Sequence, residues 1–213
     1  MSQPNTPLIE VSDLTCIRED RILFEHLNFA ISSGDIVQIE GPNGAGKTSL
    51  LRILSGLASP FDGKVLFNNE VINDCREYFH QNLVYLGHLP GVKGEMSAQE
   101  NLEFNLALHG IDAEQAEQRL SDVNLYGFED SLASHLSAGQ HRRIALARLF
   151  SATAPVWILD EPFTAIDKAG VQRLEQLFVE HAKRGGCVIL TTHQDLSISA
   201  EKIKKISLEY RLF

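Results

Sequence analysis

With 213 residues and 44% hydrophobic content, the chain can bury one sizeable core, which suits one domain or a compact domain with an inserted lobe. Its net charge of −9 argues against a surface built to neutralise nucleic-acid phosphates, so no nucleic-acid partner is expected. Cys16, Cys75 and Cys187 form no Cys-x-x-Cys pair, the start is polar rather than signal-like, and no apolar run approaches about 18 residues; the expected setting is a reducing cytoplasm without a membrane span.

Leu8-Ile9-Glu10-Val11, Leu27-Asn28-Phe29-Ala30-Ile31 and Ile36-Val37-Gln38-Ile39-Glu40 alternate with period two and predict strands, the last two joined by the turn Ser32-Ser33-Gly34-Asp35. Directly after them comes Gly41-Pro42-Asn43-Gly44-Ala45-Gly46-Lys47-Thr48, of the form Gly-x4-Gly-Lys-Thr. It leads into a segment with Leu50, Leu51, Ile53 and Leu54 at helical spacing. Between a strand and a helix, such a loop turns backbone N–H groups and a positive helix end toward phosphates, and its glycines let the main chain come close. Lys47 is placed for the β and γ phosphates and the Thr48 hydroxyl for Mg²⁺, so ATP with Mg²⁺ is the expected ligand, although the loop alone does not separate kinases, GTPases and ATPases and the second half of the chain has to decide. Pro60-Phe61-Asp62-Gly63 then turns the chain into a strand over 64–67.

From 97 to about 150 the pattern is mostly helical, with Ser97…Glu100 and Ser137…Gln140 both spaced as capping boxes. Ser137-Ala138-Gly139-Gln140 opens a helix over 141–149 and offers a hydroxyl, free N–H groups and a positive helix end, which makes a second anion site. One ATP is already enclosed by residues 41–48, so the economical arrangement sets this second site over the ATP of another copy of the chain. Read alone, the same residues equally describe a capped helix and nothing more.

Val156-Trp157-Ile158-Leu159 and the segment 187–191 read as buried strands separated by a helix over 168–184, the alternation of a parallel sheet. At the C-terminal end of the first, Asp160 can orient Mg²⁺ and Glu161 can polarise the water that attacks the γ-phosphate. His193 follows the second strand and can reach the γ-phosphate, although a lone histidine is more often a surface or capping residue.

Taken together, GPNGAGKT, LSAGQ, VWILDEP, Thr164-Ala165-Ile166-Asp167 and the TTH ending at His193 resemble the ATP-binding cassette (ABC) transporter ATPases, and the resemblance runs from Leu8 onward. It implies an α/β fold: a P-loop NTPase with a RecA-like parallel-sheet core and a small antiparallel β lobe. A helical lobe over about 92–152 is inserted in the core, all within one domain spanning 1–213. It further implies that Glu161 and His193 serve hydrolysis, that Asp167 lies at a dimer interface with a second copy, and that the helical lobe meets transmembrane subunits.

Two positions depart from the family pattern. Arg18 stands where an aromatic residue usually stacks on adenine, and a guanidinium plane can replace that ring. His88 stands where a glutamine usually senses Mg²⁺ and the attacking water; an imidazole can hydrogen-bond water or phosphate in its place. With Leu14-Thr15-Cys16, the segment 86–93 and HRRIALARL after LSAGQ, these residues are most similar to the haem-exporter ATPases of bacterial cytochrome c maturation. That branch implies a peripheral subunit at the cytoplasmic face of the inner membrane, docked on integral membrane subunits of the CcmB and CcmC type. By that resemblance hydrolysis would drive haem export or release of a haem-loaded chaperone; haem enters only indirectly, and no haem ligand is assigned. Residues 90–95 are the expected contact with a membrane partner, a solvated loop being the alternative. The competing readings are the ATPase subunit of another ABC transporter, a soluble ABC-type regulator and a nucleotide sensor without turnover.

Overall fold

The period-two segments near the start form β1 (Ile9–Arg18) and β2 (Arg21–Ile31), paired antiparallel in a computed structural model that describes residues 7–198 and 203–210. β3 (Ile36–Glu40) leads into α1 (Lys47–Leu54), then β4 (Asp62–Phe67), β5 (Glu70–Val71), α2 (Arg76–Gln81) and β6 (Leu83–Leu86). After them come α3 (Ala98–Leu108), α4 (Ala116–Asp122), α5 (Ala138–Ala147), β7 (Val156–Asp160), α6 (Lys168–Lys183), β8 (Cys187–Thr191) and β9 (Ile203–Ser207).

The backbone clusters into two compact units, one built from residues up to Tyr85, Ala154–Asp160 and Phe178 onward, the other from Leu86–Thr153 and Glu161–Leu177. In the first, an antiparallel sheet of order β2-β1-β4-β5 accompanies a five-stranded sheet of order β6-β7-β8-β3-β9. β3 pairs in parallel with β8 and β9, and β7 in parallel with β8. Every residue of β7 and β8 is buried, as expected of central parallel strands covered on both faces. Leu50, Leu51, Ile53 and Leu54 of α1 close one side of this core with Ile39, Ile158 and Ile189. The sheet is tied at β9 by Lys204, which donates to Asp35, and by Lys205, which donates to Glu40, both at 2.6 Å.

The second unit is helical. Ala98, Leu102 and Leu106 of α3 pack with Ala116 and Leu120 of α4 and with Ile144 and Ala147 of α5, each set spaced three or four residues apart on one helix face. Both predicted capping boxes are present. Ser97 Oγ accepts from the Glu100 amide and Ser137 Oγ from the Gln140 amide, while each N3 side chain accepts from the cap's own N–H. Asn101, 1% exposed, holds the segment before α3 by accepting from Lys93 N at 2.8 Å and donating to Lys93 O at 2.9 Å. On α3's neighbouring 3₁₀ turn after α5, Arg148 is lowered to about 10, by burial first and then by the charge of Arg142.

In the first unit, the ring of His181 stacks on Trp157 at 3.8 Å between centroids, and its Nε2–H donates to the Pro155 carbonyl at 3.1 Å. Burial lowers the His181 pKa, since a charged imidazole would lose its water. Its unfolded counterpart titrates near about 6.5, so below that pH the unfolded chain takes a proton that the folded chain refuses. The stabilisation is therefore complete above that value and is lost as pH falls toward the lower folded pKa. His181→Phe, which keeps a stacked ring, should flatten the decline of the urea midpoint as pH falls below about 6.5; a decline as steep as in the parent chain would show that this imidazole is not linked to unfolding.

Candidate functional site

Two glycines of the loop between β3 and α1 cannot be other residues without displacing their neighbours. At Gly41 (φ +148) a Cβ would lie 2.5 Å from the Leu208 carbonyl oxygen, and at Gly46 (φ +97) it would lie 3.0 Å from Leu23 and 3.2 Å from the Phe24 ring. Gly46 is the left-handed N-cap of α1, whose first turn has neither a capping side chain nor an acidic residue. The positive end of α1 is thus left for an anion from outside the helix. Lys47 Nζ folds over the loop and donates to the carbonyls of Gly41 at 2.6 Å and Pro42 at 3.3 Å.

Asp160 ends β7 with 3% of its surface exposed. Both of its carboxylate oxygens accept hydroxyl hydrogen bonds: Oδ2 from Thr48 Oγ1 at 3.0 Å and Oδ1 from Thr191 Oγ1 at 2.7 Å. Thr48 comes from the first turn of α1, and Thr191 stands opposite Asp160 in the parallel register of β7 and β8. Burial, and after it the negative charge of Asp160, raises the pKa of the Tyr85 phenol on β6. Thr48 and Asp160 are hard oxygen donors within one hydrogen bond of each other, which fits a Mg²⁺ ion completed by phosphate and water. Among the described residues no group of three His, Cys, Asp or Glu side chains could cage a metal by itself. The sequence named Thr48 and Asp160 but missed Thr191; only strand register, which a motif does not carry, brings it in.

In the helical unit, Glu161 has a left-handed backbone (φ +50), and its carbonyl accepts from Thr164 N at 3.2 Å and Arg142 Nη2 at 2.9 Å. The following loop returns to a left-handed residue at Ala165 (φ +60) and ends at Asp167, whose Oδ1 accepts from the Gly170 amide at 2.8 Å as the cap of α6. Its Oδ2 accepts from Arg143 Nη2. The Gly170 amide, followed by the Arg143 guanidinium, holds the Asp167 carboxyl below the usual carboxylate range. Ser137, Ala138, Gly139 and Gln140 form the start of α5; a Cβ on Gly139 would come within 2.9 Å of the Ala165 carbonyl oxygen, so this helix start lies tight against the 164–167 loop. Arg18 ends β1 and is exposed, as are His88, two residues past β6, and His193, two residues past β8.

The profile of the ABC transporter family matches residues 24–164. The chain belongs to the ABC transporter ATP-binding family. This ABC cassette is 67% identical over 212 residues, 99% of its own length and 97% of the relative's, to the cytochrome c biogenesis ATP-binding export protein CcmA of Colwellia psychrerythraea. It is 60% identical to the protein of the same description from Shewanella frigidimarina, over 99% of this chain and 98% of that one. Among solved structures, the cassette is similar to the ATP-binding subunit of an ABC transporter, with TM-score 0.83 and 25% identity over 94% of this chain and 85% of that one. It is also similar to a bacterial ABC transporter cassette solved as a dimer, with TM-score 0.81 and 25% identity over 94% of each chain. The cassette is an ATPase, and its parallel core sheet, separate antiparallel sheet and helical unit are those of the family's P-loop fold.

Replacing Thr191 with valine keeps the shape of β8 and removes a hydroxyl from a buried carboxylate. Thr191→Val should cost about 1.5–3 kcal/mol of stability, the worth of a hydrogen bond to a charged group. Urea unfolding at neutral pH measures it, and a change within about 0.5 kcal/mol would mean that Asp160 is held without this bond.

Proposed function

We infer that this ABC cassette is the ATP-hydrolysing subunit of an export complex in cytochrome c biogenesis. The observation that carries the reading is its 67% identity over nearly the full chain to an export protein of that process. The hydroxyl–carboxylate cluster of Thr48, Asp160 and Thr191 beside the phosphate loop supports the chemistry.

In this reading the amides of residues 41–48 and the start of α1 bind the ATP phosphates. Lys47, held by two loop carbonyls, exchanges those dipoles for the charges of the β and γ phosphates. Thr48 and Asp160 would hold Mg²⁺, which when bound neutralises charge on the phosphate oxygens. Glu161, the residue after Asp160, accepts the proton of the attacking water, and His193 and His88 hydrogen-bond the γ-phosphate or that water. Arg18 stacks its guanidinium plane on adenine. Ser137, Ala138, Gly139 and Gln140 complete the ATP site of a second copy, where Ser137 Oγ can donate outward while accepting from Gln140 N, and Asp167 lies at the interface between the copies.

The partners that fit this reading are integral membrane subunits of the CcmB and CcmC type, with the cassette peripheral at the cytoplasmic face of the inner membrane and haem handled by the complex rather than by this chain. No described helix is long and apolar enough to cross a membrane. Residues 90–95, pinned through Lys93 to the buried Asn101 and preceded by Leu89 at 81% exposure, are the proposed docking segment.

Glu161→Gln should bind ATP with unchanged affinity while steady-state hydrolysis falls by at least about a hundredfold, the usual worth of a general base; full turnover by this variant would remove Glu161 as the base. Extraction of the tagged chain from its own membranes in mild detergent should bring down integral membrane proteins that carry haem absorbance. Recovery with another transporter's membrane subunits instead would reassign the export system.

A further inference from the structure

Arg142 is a cation on an apolar face. It sits on α5 three, four and seven residues before Ala145, Leu146 and Leu149, all buried, and only 5% of its own surface is exposed. A buried charge is retained only where polar partners answer it. Two of those partners are carbonyls from segments far apart in sequence: Nη1 donates to Gly87 O at 2.8 Å and Nη2 to Glu161 O at 2.9 Å.

Both carbonyls belong to main chain that carries a side chain read above as catalytic. Gly87 directly precedes His88. Glu161 is itself held at φ +50, a conformation that a residue with a Cβ seldom adopts and that persists only where its surroundings over-determine it. The Glu161 carbonyl is one of the handles by which such a conformation can be fixed, and the guanidinium holds it from a helix whose first residues are 138–140.

We propose that Arg142 is a positioning residue for hydrolysis: its fork fixes the strained Glu161 backbone and the chain entering His88 together, so that α5, led by Ser137, and these two side chains move as one body. The proposal rests on the catalytic reading of Glu161. It explains why arginine stands here: a planar fork spans two carbonyls at once, whereas the ammonium of a lysine is a point donor on a flexible stem that does not hold both in fixed geometry. It also gives the helix start at Ser137 a mechanical route to Glu161 within one unit, through five residues of α5 and one side chain.

The test uses the full chain carrying Arg142→Lys, checked by thermal melting, with ATP affinity, KM and kcat measured for the parent and variant. The expected result is a kcat reduced about 10- to 100-fold, with KM and ATP affinity within about threefold of the parent. The same substitution in a Glu161→Gln background should lower the residual rate by less than about threefold, because of the two groups it positions the base is already gone and only the smaller share that runs through His88 is left to lose. Equal kcat in parent and Arg142→Lys, or a full multiplicative loss in the double variant, would overturn the proposal. Should the lysine variant fail to fold, Arg142→Gln, which leaves no buried charge, is measured against the same two criteria. Undiminished turnover in Glu161→Gln alone would instead remove the catalytic reading beneath the proposal, a result distinct from an Arg142 variant that keeps its kcat while Glu161→Gln loses it.

Discussion

A carboxylate at the end of a buried strand must be answered by donors, and the way Asp160 is answered organises the sheet unit. Thr48, among its donors, belongs to the helix that opens at the phosphate loop, and Thr191 to the neighbouring parallel strand. The pair of β7 with β8 must therefore keep its register, and α1 must start where it does, for a single charged group to stay satisfied at 3% exposure. A slip of one residue in β8 would turn Thr191 away and leave a leucine or Thr192 in its place. Fold and chemistry share this constraint, because the same oxygens that stabilise the C-terminal ends of these central strands are those that suit a divalent cation with phosphate.

Beyond Asp160 the chain leaves the sheet unit, and its next residue already belongs to the helical one. Here the constraints are of another kind. Glu161 and Ala165 both take left-handed conformations, and the loop from Glu161 to Asp167 is gripped by Arg142 at its start, by Gly139 packed on the Ala165 carbonyl, and by Arg143 and Gly170 on Asp167. Three of these contacts come from one helix, α5. Backbone strain of roughly 1–3 kcal/mol per residue is tolerable only with such redundancy, and redundancy in turn makes the loop respond to α5 as a body.

How much could be read from the sequence depended on whether the determining residues were contiguous. The strand before the phosphate loop and β8 have the limits that their patterns predicted, and both capping boxes form at the predicted serines, because each of these signals is local. β1 and β2 run longer than their alternation suggested. Register shifts between Val11 and Leu14 and again before Cys16 break the period of two without ending the strand. α2, with six residues, is too short to display helical periodicity, and β9 reads Ile-Lys-Lys-Ile, which has no alternation. The phosphate loop, Asp160 and Glu161 are legible as motifs. The partnership of Thr191 with Asp160 and the two carbonyls held by Arg142 are long-range and are not, although an arginine in phase with Ala145, Leu146 and Leu149 was a signal open to reading.

The lysines of β9 have a meaning apart from the two ion pairs they make. Among the described strands β9 is the last in its sheet, so its outer backbone groups are the natural template on which a second chain could add a strand and begin an aggregate. Two adjacent lysines in five residues, each drawn to an acid of the β3 side, make that border charged and narrow, and any intruding strand would have to desolvate them. The border at which assembly would be indiscriminate is thereby guarded by charge.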